Sequence, residues 1–277
     1  IFEKANKFNI KGTIILAHEG LNGMLSGKPQ DINSLQDFLN TLPQIAPIEF
    51  KTSYYEKMSF RRMLIKVKKE IITMRRDVNP LEETGKYLDP IDLKKWMNDK
   101  KDIHMLDTRN DYEVAMGTFK NAINPKIKSF EEFALYIDSH AESLKSKPIV
   151  TFCTGGIRCE KATSYMIKKG ITDVYQLKGG ILKYFEKASK PDDTNWEGEC
   201  VVFDKRKAIN PQLKPSQNMI CYICLTKMNQ ENRSNIIGPG GEQCQKCYEK
   251  KTHCRNQRIA RKLSKKTQTH NNNKPQK

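Results

Sequence analysis

Short apolar runs alternate with amphipathic stretches between residues 90 and 188, and this alternation is the feature that most limits the possible folds. Runs rich in Ile, Leu and Val are typical of strands buried on both faces, and they occur at residues 103–107, 149–152 and 174–177. Helical patterns lie between and beside them, at residues 90–97, 130–140, 159–169 and 179–188. Alternation at this spacing predicts an α/β domain with a doubly wound parallel sheet, in which sites lie at the carboxyl ends of strands.

A cysteine directly follows one of these strands, where such a sheet places its sites. Cys153 begins the loop Cys-Thr-Gly-Gly-Ile-Arg, which ends at Arg158 and leads into the next helix. Converging amides and the positive end of that helix stabilise an anionic sulfur. We therefore predict that Cys153 is a reactive thiolate, accessible to solvent, and that Arg158 supplies a fixed charge to its anion-binding loop. The other residues of that loop are Thr154, Gly155, Gly156 and Ile157.

The length of this loop indicates which anion it holds. Four residues separate Cys153 from Arg158, whereas a cysteine phosphatase of related architecture needs one more to surround a phosphate. The loop therefore suits a single sulfur atom, as in a persulfide, or an oxidised thiol. Cys159 follows at once and has two interpretations, a resolving thiol that forms a disulfide with Cys153 or a helix residue packed against the sheet.

Two charged residues end the preceding strand of the predicted sheet. Asp107 and Arg109 would lie near the cysteine loop, because carboxyl ends of neighbouring parallel strands meet at one edge. A buried ion pair that fixes the loop is the favoured interpretation, over a direct catalytic role.

The first seventy-odd residues predict a smaller α+β domain. Strand patterns occur at residues 12–17, 23–26, 48–54 and 63–68, and an initial helix ends near Phe8. Asp31 is the expected N-cap of a second helix that runs to Leu42. This order predicts a ferredoxin-like sandwich, incomplete at its N-terminus, followed by a linker at residues 77–89.

Positive charge is concentrated in two regions of this chain, whose formal net charge is +17. Residues 201–277 hold 17 basic and 4 acidic residues, and residues 51–76 hold 9 and 2. Four aromatic residues are interleaved with these charges, namely Tyr54, Tyr55, Phe60 and Tyr248. This pattern favours binding to nucleic acid over the alternative that the charge only makes the surface soluble. No run approaches the roughly 18 consecutive apolar residues of a membrane span, which predicts a cytoplasmic protein without membrane contact.

Four of the eight cysteines form two CxxC pairs. Cys221 and Cys224 are separated by nineteen residues from Cys244 and Cys247, a spacing typical of a structural zinc site. Four free thiols in a loose tail are the alternative. His253 and Cys254 are spare candidates, Cys200 stands apart, and a basic helix-like run at residues 255–266 suits RNA phosphates.

Several segments together resemble one family, in that family's order. LDTRNDYEVAMGTFKNAI and IVTFCTGGIRCEKA resemble the two diagnostic segments of the rhodanese superfamily. Nearly the whole chain is similar to the rhodanese-domain tRNA uridine hydroxylases. The further segments that carry this resemblance are GTIILAHEGLNGMLSG, VYQLKGGILKYFE and WEGECVVFDKR, followed by the paired CxxC motifs. Two departures are Val201, where that family usually has Phe, and a longer, more basic tail.

This resemblance implies a domain order and a reaction. The expected domains are residues 1–77 (ferredoxin-like), 78–195 (rhodanese), 196–263 (the CxxC module) and 264–277 (a disordered tail). The family forms 5-hydroxyuridine at the wobble position 34 of tRNA with molecular oxygen as co-substrate, and the resemblance makes Cys153 its active-site cysteine. Motifs for flavin, haem or nicotinamide are absent from the sequence, which leaves the activation of oxygen and the electron donor open.

Two other functions stay open at this point, and so does the oligomeric state. A rhodanese-type sulfurtransferase would carry a persulfide on Cys153, and the same domain can also act as an inactive RNA-binding scaffold. The intact Cys153 and Arg158 argue against the scaffold.

Overall fold

A computed structural model describes residues 1–250 apart from 44, 46–47, 49, 189–194, 219, 222, 225, 229–230 and 239–240. The chain forms two compact units, Ile1–Ser216 and Gln217–Lys277. The spare candidates His253 and Cys254, the basic run at 255–266 and the tail at 264–277 lie outside the described residues.

The chain begins with a three-stranded sheet and two helices. The elements are α1 (Phe2–Lys7), β1 (Lys11–Ala17), β2 (Gly20–Ser26), α2 (Pro29–Asn40) and β3 (Met63–Val67). Strand β1 is central, antiparallel to β2 and parallel to β3. The apolar sides of both helices and the sheet share one core, formed by Ala5, Ile10, Ile14, Leu35, Leu39 and Met63.

Two sequence-based expectations for this region are wrong. Helix α2 begins after Lys28, because Pro29 at its first position already has the helical φ, and Asp31 lies within the first turn. The described residues of the stretch 48–54 form no strand. Their polar groups contact another part of the unit instead: Lys51 Nζ donates to the carbonyl of Gly155 at 2.5 Å.

A four-stranded parallel sheet confirms the predicted doubly wound architecture. Its order is β4-β8-β7-β5, from β4 (Lys86–Leu88), β5 (His104–Asp107), β7 (Ile149–Phe152) and β8 (Val174–Leu177). The helices are α3 (Pro90–Asn98), α4 (Asp111–Val114), α5 (Phe130–Leu144), α6 (Ile157–Lys168) and α7 (Gly180–Lys187). Strand β4 lies within the predicted linker, because three residues are too short for a recognisable pattern.

Helices cover both faces of this sheet, each over its own core. Leu93 of α3 and Tyr184 of α7 belong to one cluster, whereas Phe133 of α5 and Ala162 of α6 belong to the other. A ring cluster closes the first core, where Phe119 makes edge contacts with Phe152, Tyr184 and Trp196. Phe119 lies on β6 (Gly117–Phe119), which pairs with β9 (Trp196–Gly198).

Short hairpins complete both units. In the first unit, β10 (Cys200–Val201) pairs with β11 (Ala208–Ile209). In the second unit, β12 (Arg233–Gly238) pairs with β13 (Gly241–Cys244), and residues 245–250 are helical.

A buried lysine joins the N-terminal sheet to helix α6. The ammonium of Lys161 lies 3.0 Å from a carboxylate oxygen of Glu19 and 2.5 Å from one of Glu70, and it donates to the carbonyl of Ile72. Only 5% of Lys161 is exposed. Its charge is therefore compensated by groups from the N-terminal region, which ties that region to the helix after the cysteine loop.

Candidate active site

The loop after β7 favours the thiolate form of Cys153. Its sulfur accepts a hydrogen bond from the amide of Gly156 at 3.0 Å, so the loop turns its amides inward. Burial raises the pKa of Cys153, but a hydrogen bond from Cys159, the charge of Arg158 and backbone amides of both residues together lower it to about 5. The thiolate is therefore the main form at neutral pH.

Two glycines make this turn possible. Gly156 precedes α6 with φ of 95°, a left-handed conformation that side chains disfavour. Gly180, which begins α7, packs against the loop so closely that a Cβ there would lie 2.5 Å from the carbonyl oxygen of Cys153. The first turn of α7 thus encloses the loop from the side.

The sulfur is less open than the sequence led us to expect. Only 2% of Cys153 is exposed; the start of α7 packs against its carbonyl group, and Lys51 bonds the same loop at Gly155. Cys153 nevertheless lines a cleft of about 2090 Å³, together with the β1–β2 hairpin, residues 50–56 and residues 202–204. The expectation of an openly accessible thiol is therefore wrong: the residue lies at the floor of a cleft.

Arg158 is held by a carboxylate beside the loop. Its guanidinium donates to both oxygens of Glu113, at 2.6 and 2.8 Å, and both side chains are buried. Burial raises the pKa of Glu113, but the hydrogen bonds and charge of Arg158 lower it below its ordinary value. Arg158 thus has a paired charge that acts on the nearby sulfur, rather than a free guanidinium.

Asp107 and Arg109 form a buried ion pair at the end of β5. Their closest atoms are 2.6 Å apart, and neither side chain is exposed. Arg109 also donates to the carbonyl of Gly117, and Thr118 donates to Asp107. This geometry favours the interpretation as a support beneath the loop, because neither residue lines the cleft.

Cys159 is a second thiol next to the first. It is fully buried, and its sulfur lies 3.7 Å from the hydroxyl of Thr108. Burial and the neighbouring Cys153 raise its pKa well above the ordinary value. The opposite shifts in pKa favour an ionised Cys153 beside a protonated Cys159.

The second unit brings four cysteines together. The sulfurs of Cys221, Cys224, Cys244 and Cys247 all lie within 4.8 Å of one another. Cys224 and Cys244 are 3.8 Å apart, which is about the edge of a tetrahedron with Zn–S bonds of about 2.3 Å. The predicted set thus converges, and its geometry fits a tetrahedral metal ion.

Comparison with curated proteins decides the family. A tRNA uridine(34) hydroxylase of Acaryochloris marina is 43% identical over 253 residues, which is 91% of this chain and 81% of that protein. The tRNA uridine(34) hydroxylase of a Picosynechococcus species is 40% identical over 269 residues, 97% of this chain and 90% of that protein. The chain belongs to the tRNA uridine(34) hydroxylase family.

Two domain families match this tRNA uridine(34) hydroxylase family member. Residues 1–71 match the UPF0176 acylphosphatase like domain, and residues 89–187 match the rhodanese-like domain. Among solved structures, the rhodanese-like domain of an Anabaena protein is 21% identical, with a TM-score of 0.34, and covers 40% of this chain and 78% of that one. None of the helices in the described part of the chain has the length and hydropathy of a membrane span.

Sequence reasoning missed two residues of the site in this family member. Glu113 stands within a motif quoted for the resemblance, but the motif alone did not indicate that it pairs with Arg158. Lys51 counted only as part of a basic region, yet it bonds the cysteine loop 104 positions away. No local pattern reveals such a contact, because it depends on how the N-terminal region packs.

We expect Glu113→Ala to destabilise the first unit by about 3–5 kcal/mol, because it leaves the buried charge of Arg158 without a partner. Urea unfolding followed by tryptophan fluorescence measures this, since Trp96 and Trp196 both lie in that unit. Glu142→Ala is the control: its pair with Lys145 is exposed and contributes at most about 1 kcal/mol. Equal losses in the two variants would contradict the prediction.

Proposed function

We propose that this protein converts uridine 34 of tRNA to 5-hydroxyuridine with molecular oxygen, in the cytoplasm where tRNA is found, and that Cys153 is its reactive group. The observation that carries the proposal is the thiolate at the floor of a cleft. The relatives named above support the reaction, since both match over more than four fifths of their length. The basic stretch 51–76, whose first residues line the cleft, supports tRNA as the substrate.

The proposed chemistry begins with a covalent adduct. The thiolate of Cys153 adds to C6 of the uracil ring, and the electrons of the C5–C6 double bond move towards O4. C5 thereby becomes nucleophilic and attacks dioxygen. Loss of the C5 proton with cleavage of the C6–S bond then restores the C5–C6 double bond and frees the thiolate of Cys153. A recessed sulfur requires the target base to leave its stack and enter the cleft, which also excludes water from the adduct.

Cys159 has a proposed role in the electron balance. Hydroxylation of C5 by dioxygen leaves one oxygen atom to be reduced to water, which takes two electrons and two protons. Oxidation of the freed Cys153 thiolate and the Cys159 thiol to a disulfide releases both electrons and one proton, and the second proton comes from the solvent. In a single turnover without added reductant, one disulfide should therefore form for each 5-hydroxyuridine.

The cysteine cluster has a proposed structural role with zinc. Four thiolates saturate a tetrahedral zinc ion and leave no open position, which is the pattern of a structural site. Bound zinc would link the residues around Cys221 and Cys224 to β13, whose last residue is Cys244.

Incubation of the purified protein with unmodified tRNA under oxygen-18 gas tests the proposed function. Mass spectrometry of the digested nucleosides should find 5-hydroxyuridine that carries the label. A reaction under argon is the control and should give none. Product that carries oxygen from water, or absence of product under oxygen with a two-electron thiol donor supplied, would refute the proposal.

Sulfur transfer remains a second candidate, because the amides that hold the thiolate would also hold a persulfide on Cys153. Incubation with thiosulfate and cyanide separates the two. Rapid release of thiocyanate without 5-hydroxyuridine in the tRNA assay would favour the sulfurtransferase.

A further inference from the structure

Three aromatic side chains on two neighbouring segments of the cleft are exposed to solvent; Tyr87 is exposed there as well, but its hydroxyl donates to Glu160. Tyr54 is 84% exposed, Tyr55 40% and Phe203 52%, although large apolar rings are usually covered. All three line the cleft whose floor includes Cys153. A group of exposed rings in one concave region indicates a surface that is covered by a ligand.

The two segments that carry these rings contact each other. Arg206 donates to the hydroxyl of Ser53 at 3.3 Å, and its guanidinium lies 5.9 Å from the ring centre of Tyr55. Lys205 donates to the carbonyl of Met58 at 2.9 Å. The segments around Tyr54 and Phe203 are thus joined, and less conformational entropy is lost when a ligand binds to segments that already contact each other.

The charge of the segment that carries Tyr54 and Tyr55 indicates the class of ligand. Residues 51–69 hold seven basic residues and one acidic residue, and most of their side chains are exposed. Arg206 is not among the charges available to a ligand, because Asp204 pairs with it at 2.6 Å. Aromatic faces among positive charges suit a polyanion that also offers flat rings, which is a single-stranded nucleic acid. A duplex hides the faces of its bases, and a membrane surface cannot enter a cleft.

We propose that Tyr54, Tyr55 and Phe203 form a stacking platform for the unpaired bases of an RNA loop that flank the base entering the cleft. This inference rests on the proposed function for the identity of the loop, which is the anticodon loop of tRNA. Stacking holds the neighbours of the target uridine whatever their sequence, because every base has an aromatic face. The platform therefore contributes affinity for RNA loops and no preference for their base sequence.

The test measures binding of a labelled anticodon stem-loop to the full chain by fluorescence anisotropy at one salt concentration. Tyr54→Ala and Phe203→Ala should each raise Kd about 5- to 150-fold, the range expected for loss of one base stack. Tyr54→Phe keeps the ring and should bind within about twofold of the unchanged protein. A blunt RNA duplex of the same length should bind all variants alike.

Phe2→Ala is the matched control, because Phe2 is 50% exposed and does not line the cleft. It should leave Kd unchanged. Unchanged stem-loop binding in Tyr54→Ala and Phe203→Ala would overturn the platform. A protein partner would then be the ligand that covers these rings. Equal losses for stem-loop and duplex, or an equal loss in Tyr54→Phe, would overturn stacking as the interaction.

The platform and the proposed reaction fail in different ways. Loss of stem-loop binding in the alanine variants, with no 5-hydroxyuridine made by the unchanged protein, would retain the platform and refute the reaction. Labelled 5-hydroxyuridine made with unchanged KM by the alanine variants would retain the reaction and refute the platform.

Discussion

Cys153→Ser should reduce the formation of 5-hydroxyuridine to background, a loss of at least about 10³-fold, on the scale seen when a catalytic nucleophile is removed. Serine fits the same loop and can accept the same hydrogen bond from Gly156. Its hydroxyl does not ionise at neutral pH, however, so the amides and Arg158 have no anion to stabilise and C6 meets no nucleophile. Quantitative mass spectrometry of tRNA nucleosides measures the effect.

Cys200→Ala is the control for this variant. Cys200 is also fully buried in the first unit, but burial raises its pKa to about 12, so it is a neutral packed thiol. The control should keep most of the activity, and its unfolding midpoint shows whether the fold is intact. A folded Cys153→Ser variant that forms 5-hydroxyuridine at more than a tenth of the original rate would contradict the proposed mechanism.

Removal of metal should unfold the second unit. Structural zinc in small domains contributes apparent binding free energies of about 10–16 kcal/mol at neutral pH, and the apolar cluster here is small. Besides the four ligands, the described residues of that cluster include only Met228. Inductively coupled plasma mass spectrometry should find close to one zinc ion per chain. Treatment with a chelator should make residues 217–250 sensitive to trypsin, for example at Lys227.

Variants of the cluster provide the contrast for this measurement. Cys221→Ser and Cys244→Ser should lose the zinc and become sensitive to trypsin in the same region, since a hydroxyl is a poor ligand for zinc. Cys200→Ala should keep its full zinc content, because Cys200 is not part of the cluster. Equal zinc content in all three variants would contradict the assignment of these ligands.

The parts of the fold that were predictable depend on local order in the sequence. The strand, loop and helix around Cys153 are consecutive, so the apolar run, the glycines and the following helix specify the loop without any distant partner. The cysteine pairs are likewise recognisable from spacing alone.

What the sequence concealed depends on contacts between distant residues. The apolar pattern at 48–54 resembles a strand, but the described residues there bond the cysteine loop and Arg206 instead. The burial of Cys153 could not be predicted from its sequence neighbours either, since Gly180 and Lys51 contact its loop from elsewhere in the chain.

The buried ion pairs of Lys161 with Glu19 and Glu70 have a practical consequence. Ions in the buffer screen exposed phosphate contacts strongly, whereas a cation that is 5% exposed between two carboxylates is largely shielded from them. Concentrated salt should therefore release nucleic acid bound to the protein during purification. The ion pairs between the N-terminal region and helix α6 should stay formed under the same conditions.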